Sequence, residues 1–280
     1  MPIHDQGYRR YGGARNAQGR TWWVIARSGL MERLRERKFM GLMIVALMPF
    51  LIRGVQIYLA ANFPQWSTVI RVTPDTFREF LQQQNFFIFF ITIYVGAGLI
   101  ANDRRANALQ IYLSKPLTRA EYVFGKMAIL MTFLLTVTWL PAILLLLVQV
   151  SFAGSFEFLL DNLYLFPAIT LFSFVQAAAV SATMLALSSL SNSSRFVGII
   201  YAGLIFFSVA LFGVLRAVTG ESGLSWVAFG NNLAQIGDVM FRVPPRFSTP
   251  WPVSLVMIAA LVAVSALILE RRVRGVEVIA

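Results

Sequence analysis

Hydrophobic residues in this chain form long blocks that are separated by short polar segments. A bilayer-crossing helix needs roughly 20 predominantly apolar residues, with a range of about 17–25. The blocks that meet this length are residues 40–60, 85–101, 127–150, 163–190, 196–215 and 251–269. None of them alternates polar and apolar positions as the strands of a membrane barrel do. The pattern therefore predicts an all-α integral membrane protein with six transmembrane helices.

Composition and candidate chemistry narrow this prediction. The chain is 58% hydrophobic and 13% charged over 280 residues, outside the range of soluble domains. No block contains Asp, Glu, Lys or His, the chain has no cysteine, and its one histidine is His4. The sequence therefore offers no thiolate metal site and no acid–base pair within the membrane. We predict no catalytic, metal-binding or cofactor-binding residues in this chain.

One charge interrupts a block. Arg53 lies toward the outer end of the first block, where its side chain could reach the membrane surface. Contact with an anionic substrate in a pathway, or with another subunit at an interface, is the alternative role.

Positive charge is unevenly divided between the two sides of the predicted helices. Eighteen of the 24 Lys and Arg residues fall on the side that carries both termini, and five fall on the other side. The positive-inside rule then predicts a multi-pass protein of the cell (inner) membrane with both termini in the cytoplasm. The same distribution explains the net charge of +11 by topology and lipid contact, without nucleic acid.

The segments around the blocks complete the predicted organisation. We expect residues 1–20 to be a flexible cytoplasmic tail, residues 39–269 to be the six-helix domain, and residues 270–280 to be a basic cytoplasmic tail. Residues 216–250 are predicted to be the longest outer segment, with a helix over 226–241 resting on the outer surface. A short outer helix begins at Pro74. Residues 21–38 predict an amphipathic helix in the membrane interface, because apolar residues recur there at helical spacing: Trp22, Trp23, Ala26, Leu30 and Leu34.

The cytoplasmic loop 102–126 predicts two helices separated by a proline break. The first helix would begin near Asp103 and end before Pro116, because the residue before a proline is displaced from helical geometry. Thr118 and Glu121 have the spacing of a capping box, which would start the helix of the third span. Such a stiff elbow could receive a movement from a soluble partner; a solvated loop is the alternative.

The segment QIYLSKPLTRAEYVFGK resembles the cytoplasmic loop of ABC-2 type transporter permeases. In that family a phrase of the form L-x-x-L-L-S-[KR]-P-[LV]-[ST]-R-x-x-[YI]-x-x-G-K is common. The basic run ERRVRGVEVIA is similar to the tail after the family's last span. Two positions depart from the pattern, Gln110 where an acidic residue is frequent and Ala106-Asn107 in place of Gly-Thr. The matching residues are Leu109, Leu113, Ser114, Lys115, Pro116, Leu117, Thr118, Arg119, Gly125 and Lys126.

The resemblance implies the permease subunit of an ATP-binding cassette exporter, paired as a homodimer or with a second permease. It also implies a separate ATPase subunit, which binds ATP and Mg²⁺ and holds the loop as a coupling helix. Membrane lipids are further expected partners. The docking residues implied by the resemblance are Leu109, Tyr112, Lys115, Pro116 and Arg119. Independently, Gly125-Lys126 fails the phosphate-binding pattern G-x-x-x-x-G-K-[ST], because Ala120 and Met127 occupy the required positions.

Other function classes remain open. An ATPase-independent channel or secondary carrier is disfavoured, because a proton-driven carrier places acids or histidines within its spans. An intramembrane enzyme would need clustered His, Asp, Glu or Cys. A non-transporting membrane assembly factor is the remaining alternative. The identity of a substrate is not encoded in any motif, and the 24 phenylalanines fit helix packing and lipid contact.

Overall fold

The computed structural model describes residues 21–63, 65, 72–108, 118–152 and 157–273. Every regular element in these ranges is a helix, with a π-turn at Thr92–Gly96 and a short 3₁₀ turn at Ser225–Val227. In chain order the α-helices are α1 (Thr21–Leu34), α2 (Arg37–Ala46), α3 (Met48–Asn62), α4 (Pro74–Gln83), α5 (Asn85–Ile91), α6 (Ala101–Arg105), α7 (Arg119–Val137), α8 (Trp139–Phe152), α9 (Glu157–Asp161), α10 (Leu165–Leu190), α11 (Ser194–Thr219), α12 (Phe229–Met240) and α13 (Trp251–Arg272).

Six helical stretches of the described residues are long and apolar enough to cross a membrane, which confirms the predicted fold class. We number them spans 1 to 6. The chain alternates between two ends of the bundle. We call the end with α1 and α6 the basic end, and the end with α12 the opposite end. The six spans are Arg37–Asn62, Pro74–Arg105, Arg119–Phe152, Leu165–Leu190, Ser194–Thr219 and Trp251–Arg272.

Spans 1 and 3 are each interrupted once, and span 2 is interrupted at Gln84, at a π-turn and at a turn over residues 97–100. Span 1 breaks at Leu47, just before Pro49 in the first turn of α3. Span 3 breaks at Thr138, where Pro141 cannot supply a backbone N–H and crowds the carbonyl four residues earlier. Span 2 contains the π-turn at Thr92–Gly96, a local change of helical winding that often occurs at functional sites.

One predicted helix is present as expected, and another differs in its surroundings. The helix predicted from Pro74 is α4 (Pro74–Gln83), which Gln84 separates from α5, and its outer position stays a prediction. The helix predicted over 226–241 does not rest on the surface, because Leu233 and Ile236 of α12 pack against Ala179 of span 4 and Ile258 of span 6. Its buried apolar face explains the difference, since such a face is stabilised between helices rather than beside water.

Span 4 forms the centre of the bundle. About 61% of its most apolar window is buried, against 17% to 22% in spans 1, 5 and 6. Ile91, Leu130 and Met184 belong to one buried apolar cluster that joins spans 2, 3 and 4. The exposed sides of spans 1, 5 and 6 are rich in large apolar residues and therefore suit lipid or another protein chain.

Helix α1 lies directly across the first part of α7. A Cβ atom on Gly125 would lie 2.9 Å from the Trp22 carbonyl oxygen and 3.0 Å from the Ile25 Cβ, so the glycine permits this close approach. Of the predicted apolar stripe of α1, Ala26 is buried, whereas Trp23 and Leu34 are exposed. The contact therefore uses small residues. The interfacial position of α1 stays a prediction.

We predict that Gly125→Ala destabilises the protein. Alanine in an open helix gains about 1 kcal/mol over glycine, but overpacking a filled contact costs about 1–3 kcal/mol. The matched control is Gly213→Ala, where no heavy atom lies within 4 Å of the added Cβ. Thermal unfolding in detergent should give a lower midpoint for Gly125→Ala than for Gly213→Ala. Equal midpoints would contradict the tight α1–α7 contact.

Candidate functional site

The predicted docking residues fall mostly outside the described part of the chain. Leu109, Tyr112, Lys115 and Pro116 lie within residues 109–117, which the structure does not describe. Arg119 is the first residue of α7 and is exposed at the basic end. The docking role of all five residues stays a prediction. The structure instead describes the two ends of the loop, where it joins spans 2 and 3.

The N-terminal end of the loop differs from the predicted helix. Asp103 and Arg105 belong to α6, the last turn of span 2, and the chain then turns at Ala106 and Asn107. Asn107 has φ 52°, in the left-handed region that asparagine tolerates better than most residues. The helix that contains Asp103 therefore ends at this turn, Ala108 is helical again, and the rest of the predicted helix lies outside the described residues.

The C-terminal end of the loop confirms the predicted capping box. The Glu121 backbone N–H donates to Thr118 Oγ1 at 3.2 Å, and the Thr118 backbone N–H donates to Glu121 Oε2 at 2.9 Å. These bonds satisfy two backbone donors that an α-helix otherwise leaves unpaired at its start. Helix α7 thus begins at a fixed residue, and Arg119 has a defined position beside the loop.

Asp103 joins the two ends of the loop. The Tyr122 hydroxyl donates to Asp103 Oδ2 at 2.7 Å, and Lys126 Nζ lies 2.7 Å from the same oxygen. Tyr122 is fully buried, and the side chains of Asp103 and Lys126 are only 17% and 12% exposed. A partly buried, hydrogen-bonded ion pair is screened less by water and salt than a surface pair. Spans 2 and 3 are therefore clamped together at the base of the loop.

A second set of contacts holds the same end of span 2 against span 4. Ser188 Oγ accepts from the backbone N–H groups of Ile100 and Ala101 at 3.1 and 3.0 Å, and it donates to the Ala97 carbonyl oxygen at 2.8 Å. Arg104 donates to the Ser189 carbonyl oxygen. These bonds satisfy backbone groups that would otherwise be costly to bury after the π-turn. The basic end of span 2 is thus fixed to both neighbouring spans.

The opposite end of span 2 is fixed to α12 by a buried ion pair. Arg78 Nε lies 3.0 Å from Asp238 Oδ1, and Arg78 Nη2 donates to the Ala234 carbonyl oxygen at 2.9 Å. The two side chains are 2% and 0% exposed. Arg246 approaches the other carboxylate oxygen of Asp238, at 3.3 Å. A Cβ on Gly237 would lie 2.7 Å from Arg78 Nε, so this glycine makes room for the guanidinium.

Arg53 lies at the same end. Its Nη2 donates to Glu79 Oε2 of span 2 at 3.0 Å, and the Glu79 side chain is 57% exposed. The structure therefore pairs Arg53 with a neighbouring span, and a role in a pathway or subunit interface stays a prediction.

Near this end, the Arg242 guanidinium lies 4.2 Å from the ring centre of Tyr164. This geometry is a cation–π interaction, and burial raises the pKa of the Tyr164 hydroxyl.

Between the two ends of span 2 lies a small cavity without charged residues in its lining. It measures about 130 Å³ and is bounded by spans 2, 4 and 5 and by α12. Gln176 Nε2 donates to Asn85 Oδ1 at 2.6 Å beside it, and Phe89, Tyr201 and Phe229 supply aromatic walls. Gln176 Oε1 is buried and accepts no hydrogen bond from the described residues. The cavity therefore suits an uncharged group that can donate a hydrogen bond.

Sequence reasoning missed the residues that fix span 2. The sequence predicted no contact partner for Asp103, Lys126, Arg78 or Asp238. One signal was available: Asp238 is the single acid in an otherwise apolar and amide-rich helix, α12. Such an isolated acid needs a partner when its helix is buried. The pairing with Arg78 could not be identified, because the two residues are 160 positions apart.

No group of three or more His, Cys, Asp or Glu residues that could hold a metal ion occurs among the described residues.

The family model for ABC-2 family transporter proteins matches residues 75–269, which is more than half of the chain. The match covers spans 2 to 6 and includes both fixed ends of span 2. No protein of curated function matches the chain.

We predict that Asp238→Asn lowers the free energy of unfolding by about 3 kcal/mol or more, because it leaves Arg78 buried without its counter-charge. Combining Arg78→Met with Asp238→Leu should recover most of that loss, since an apolar pair needs no desolvation of charge. Glu79→Gln is the control, because an exposed ion pair contributes little. Chemical unfolding in detergent measures all three. A loss for Asp238→Asn no larger than for Glu79→Gln would contradict this assignment.

Proposed function

Because this chain belongs to the ABC-2 family of transporter proteins, we propose that it is the permease subunit of an ATP-binding cassette exporter that is powered by a separate ATPase subunit. The family and the six spans make the chain a multi-pass membrane component of a transport system. Coupling to ATP hydrolysis, the outward direction and the pairing with a second permease belong to the proposal. ATP and Mg²⁺ would be bound by the ATPase chain.

The Asp103 junction is the observation that carries the coupling proposal. The loop 102–126 leaves span 2 at Asp103 and returns to span 3 near Tyr122 and Lys126, and these three side chains join its two ends. A displacement of the loop would therefore move spans 2 and 3 together instead of bending a free connection. An effector can shift a conformational equilibrium only through contacts that differ between the two states. The contacts of Asp103 with Tyr122 and Lys126 are of this kind, because they connect the loop to both spans.

Span 2 supports a path from the loop to the opposite end. It runs from Pro74 to Arg105, and the Arg78–Asp238 pair attaches its far end to α12. In the proposed mechanism, nucleotide binding moves the ATPase subunits, the loop displaces spans 2 and 3, and span 2 displaces α12. The π-turn at Thr92–Gly96 is the position on this path where the winding could change.

The proposed docking surface is the loop itself, with Leu109 and Tyr112 as apolar contacts and Lys115, Pro116 and Arg119 beside them. This assignment rests on the resemblance of the loop to those of the family. The basic end would face the cytoplasm, since positive segments are retained there. The exposed apolar sides of spans 1 and 5 would contact lipid and a second copy or paired permease.

Two alternatives lead to different results. An ATPase-independent channel or secondary carrier would move cargo in liposomes down a gradient without nucleotide. A non-transporting assembly factor would bind a partner without ATP-dependent movement of cargo. The described spans place their charged side chains toward the ends, as with Arg78 and Asp103, which supports an external source of energy.

We predict that changing both Leu109 and Tyr112 to Asp abolishes copurification with the candidate ATPase, because two charges would be buried in an apolar groove. The measurement is affinity copurification of the tagged permease, followed by ATPase activity in liposomes. The matched control changes Phe124 to Asp; this large apolar residue is 63% exposed outside the proposed docking set. Undiminished binding and ATPase stimulation by the double variant would contradict the docking role.

We also predict that Asp103→Asn leaves ATPase binding intact but reduces permease-dependent stimulation of ATP hydrolysis by about fivefold or more, within the usual range of coupling energies. The substitution removes the charge that holds Lys126 while retaining the size of the side chain. Arg195→Ala, an exposed change at the start of α11, is the control at the same end. Full stimulation by Asp103→Asn would show that the junction does not transmit movement.

A further inference from the structure

A polar cavity lies at the basic end between α1 and the ends of spans 2 and 3. It measures about 300 Å³. One face of α1 supplies Ser28, Glu32 and Arg33, span 2 supplies Asn102 and Asp103, and span 3 supplies Lys126. Its polar and charged lining distinguishes it from the neighbouring groove on a different face of α7, whose walls include Trp22, Phe124 and Met127.

The acidic and basic side chains of this cavity are equal in number, and both bases already form ion pairs. Two acids and two bases line it, so its formal charge is zero. Lys126 is paired with Asp103, and Arg33 Nη1 donates to Glu36 Oε1 at 2.7 Å. An anionic ligand would have to compete with these carboxylates for both bases. A ligand that carries a positive and a negative group together would meet both signs of the lining.

Three polar side chains in the lining can exchange hydrogen bonds with water for hydrogen bonds with a ligand, and two of them, Ser28 and Glu32, are exposed. Ser28, Glu32 and Asn102 form no side-chain hydrogen bond or ion pair with any residue in the described ranges. A carboxylate accepts hydrogen bonds, whereas a hydroxyl and a carboxamide can each donate one. Together they fit an ammonium group at Glu32 and phosphate oxygens near Ser28, Asn102 and Lys126.

The surroundings of the cavity are those of a lipid surface. Val24, which lines the cavity, is 59% exposed, and the adjacent Trp23 on α1 is 52% exposed. Tryptophan is enriched at the depth of lipid headgroups, where one end of the ring is apolar and the other is wet. A phospholipid could place its headgroup in the cavity while its acyl chains remain beside these exposed residues.

We propose that this cavity binds the headgroup of a phospholipid that carries a primary ammonium, the phosphoethanolamine type. The ammonium donates to Glu32, and the phosphate accepts hydrogen bonds from Ser28 and Asn102 beside Lys126. A trimethylammonium headgroup cannot donate a hydrogen bond, and a headgroup with a glycerol in place of the amine has no positive charge for Glu32. The bound lipid would bridge α1 to span 2 and stabilise their contact by mass action.

The test uses the purified full chain in detergent. Phosphatidylethanolamine, phosphatidylcholine and phosphatidylglycerol with identical acyl chains are added separately, and native mass spectrometry counts the retained lipids. We expect one phosphatidylethanolamine per protomer to be retained in preference to the other two. Glu32→Gln should weaken that retention about tenfold, because one charged hydrogen bond is lost. Ser28→Phe, which fills the cavity, should abolish it.

The matched control is Glu270→Gln, the same chemical change at an exposed acid of α13 outside the cavity. Thermal unfolding confirms that each variant is folded, and free phosphoethanolamine is added in a parallel arm. Equal retention of the three lipids, or equal losses in Glu32→Gln and Glu270→Gln, would overturn the proposal. If free phosphoethanolamine bound as tightly as the lipid, the ligand of the cavity would be a soluble molecule and the lipid proposal would be wrong. Because the readout is lipid binding without any ATPase, it is independent of the proposed transport function.

Discussion

The attachment of span 2 at both ends is the constraint on which the arrangement of this bundle depends. At one end Asp103 holds Tyr122 and Lys126 of span 3, and at the other Arg78 holds Asp238 of α12. Buried charges are tolerated only when each is paired and hydrogen-bonded, so the Arg78–Asp238 contact cannot slide without a large loss of free energy. The position of α12 among the spans follows from this pair, as does the small residue at position 237 that the Arg78 guanidinium requires.

The two attachments differ in how firmly they are buried. Arg78 and Asp238 are almost completely removed from solvent, whereas the side chains of Asp103 and Lys126 retain 17% and 12% of their exposure. Breaking the first contact would expose an unpaired charge to an apolar interior, while the second can exchange partners with water at lower cost. A movement of span 2 that begins at the basic end would therefore carry the Arg78–Asp238 contact along with the helix.

The spans could be predicted from the sequence because their signal is local. Some 20 consecutive apolar residues identify a span whatever its neighbours are, and the Thr118–Glu121 capping box needs only the spacing of two residues. The contacts that fix the spans are not local, since Arg78 and Asp238 are 160 positions apart and Asn85 and Gln176 are 91 apart. One sequence shows which polar residues need partners but not which partners they have. The buried face of α12 was missed for the same reason, because it depends on Ala179 and Ile258 in other spans.

The distribution of polar groups along span 2 bears on how such a bundle could be powered. Its charged side chains lie toward the ends, where Arg78, Glu79 and Asp103 form ion pairs, while the middle offers the neutral Asn85–Gln176 amide pair beside a small aromatic-walled cavity. Neutral amides do not change charge across the physiological pH range, so this region cannot itself take up and release protons. A cargo that occupied the cavity would gain hydrogen bonds but no driving force from a proton gradient there. In the proposed function, energy would instead be applied at the basic end and transmitted through the two attachments of span 2.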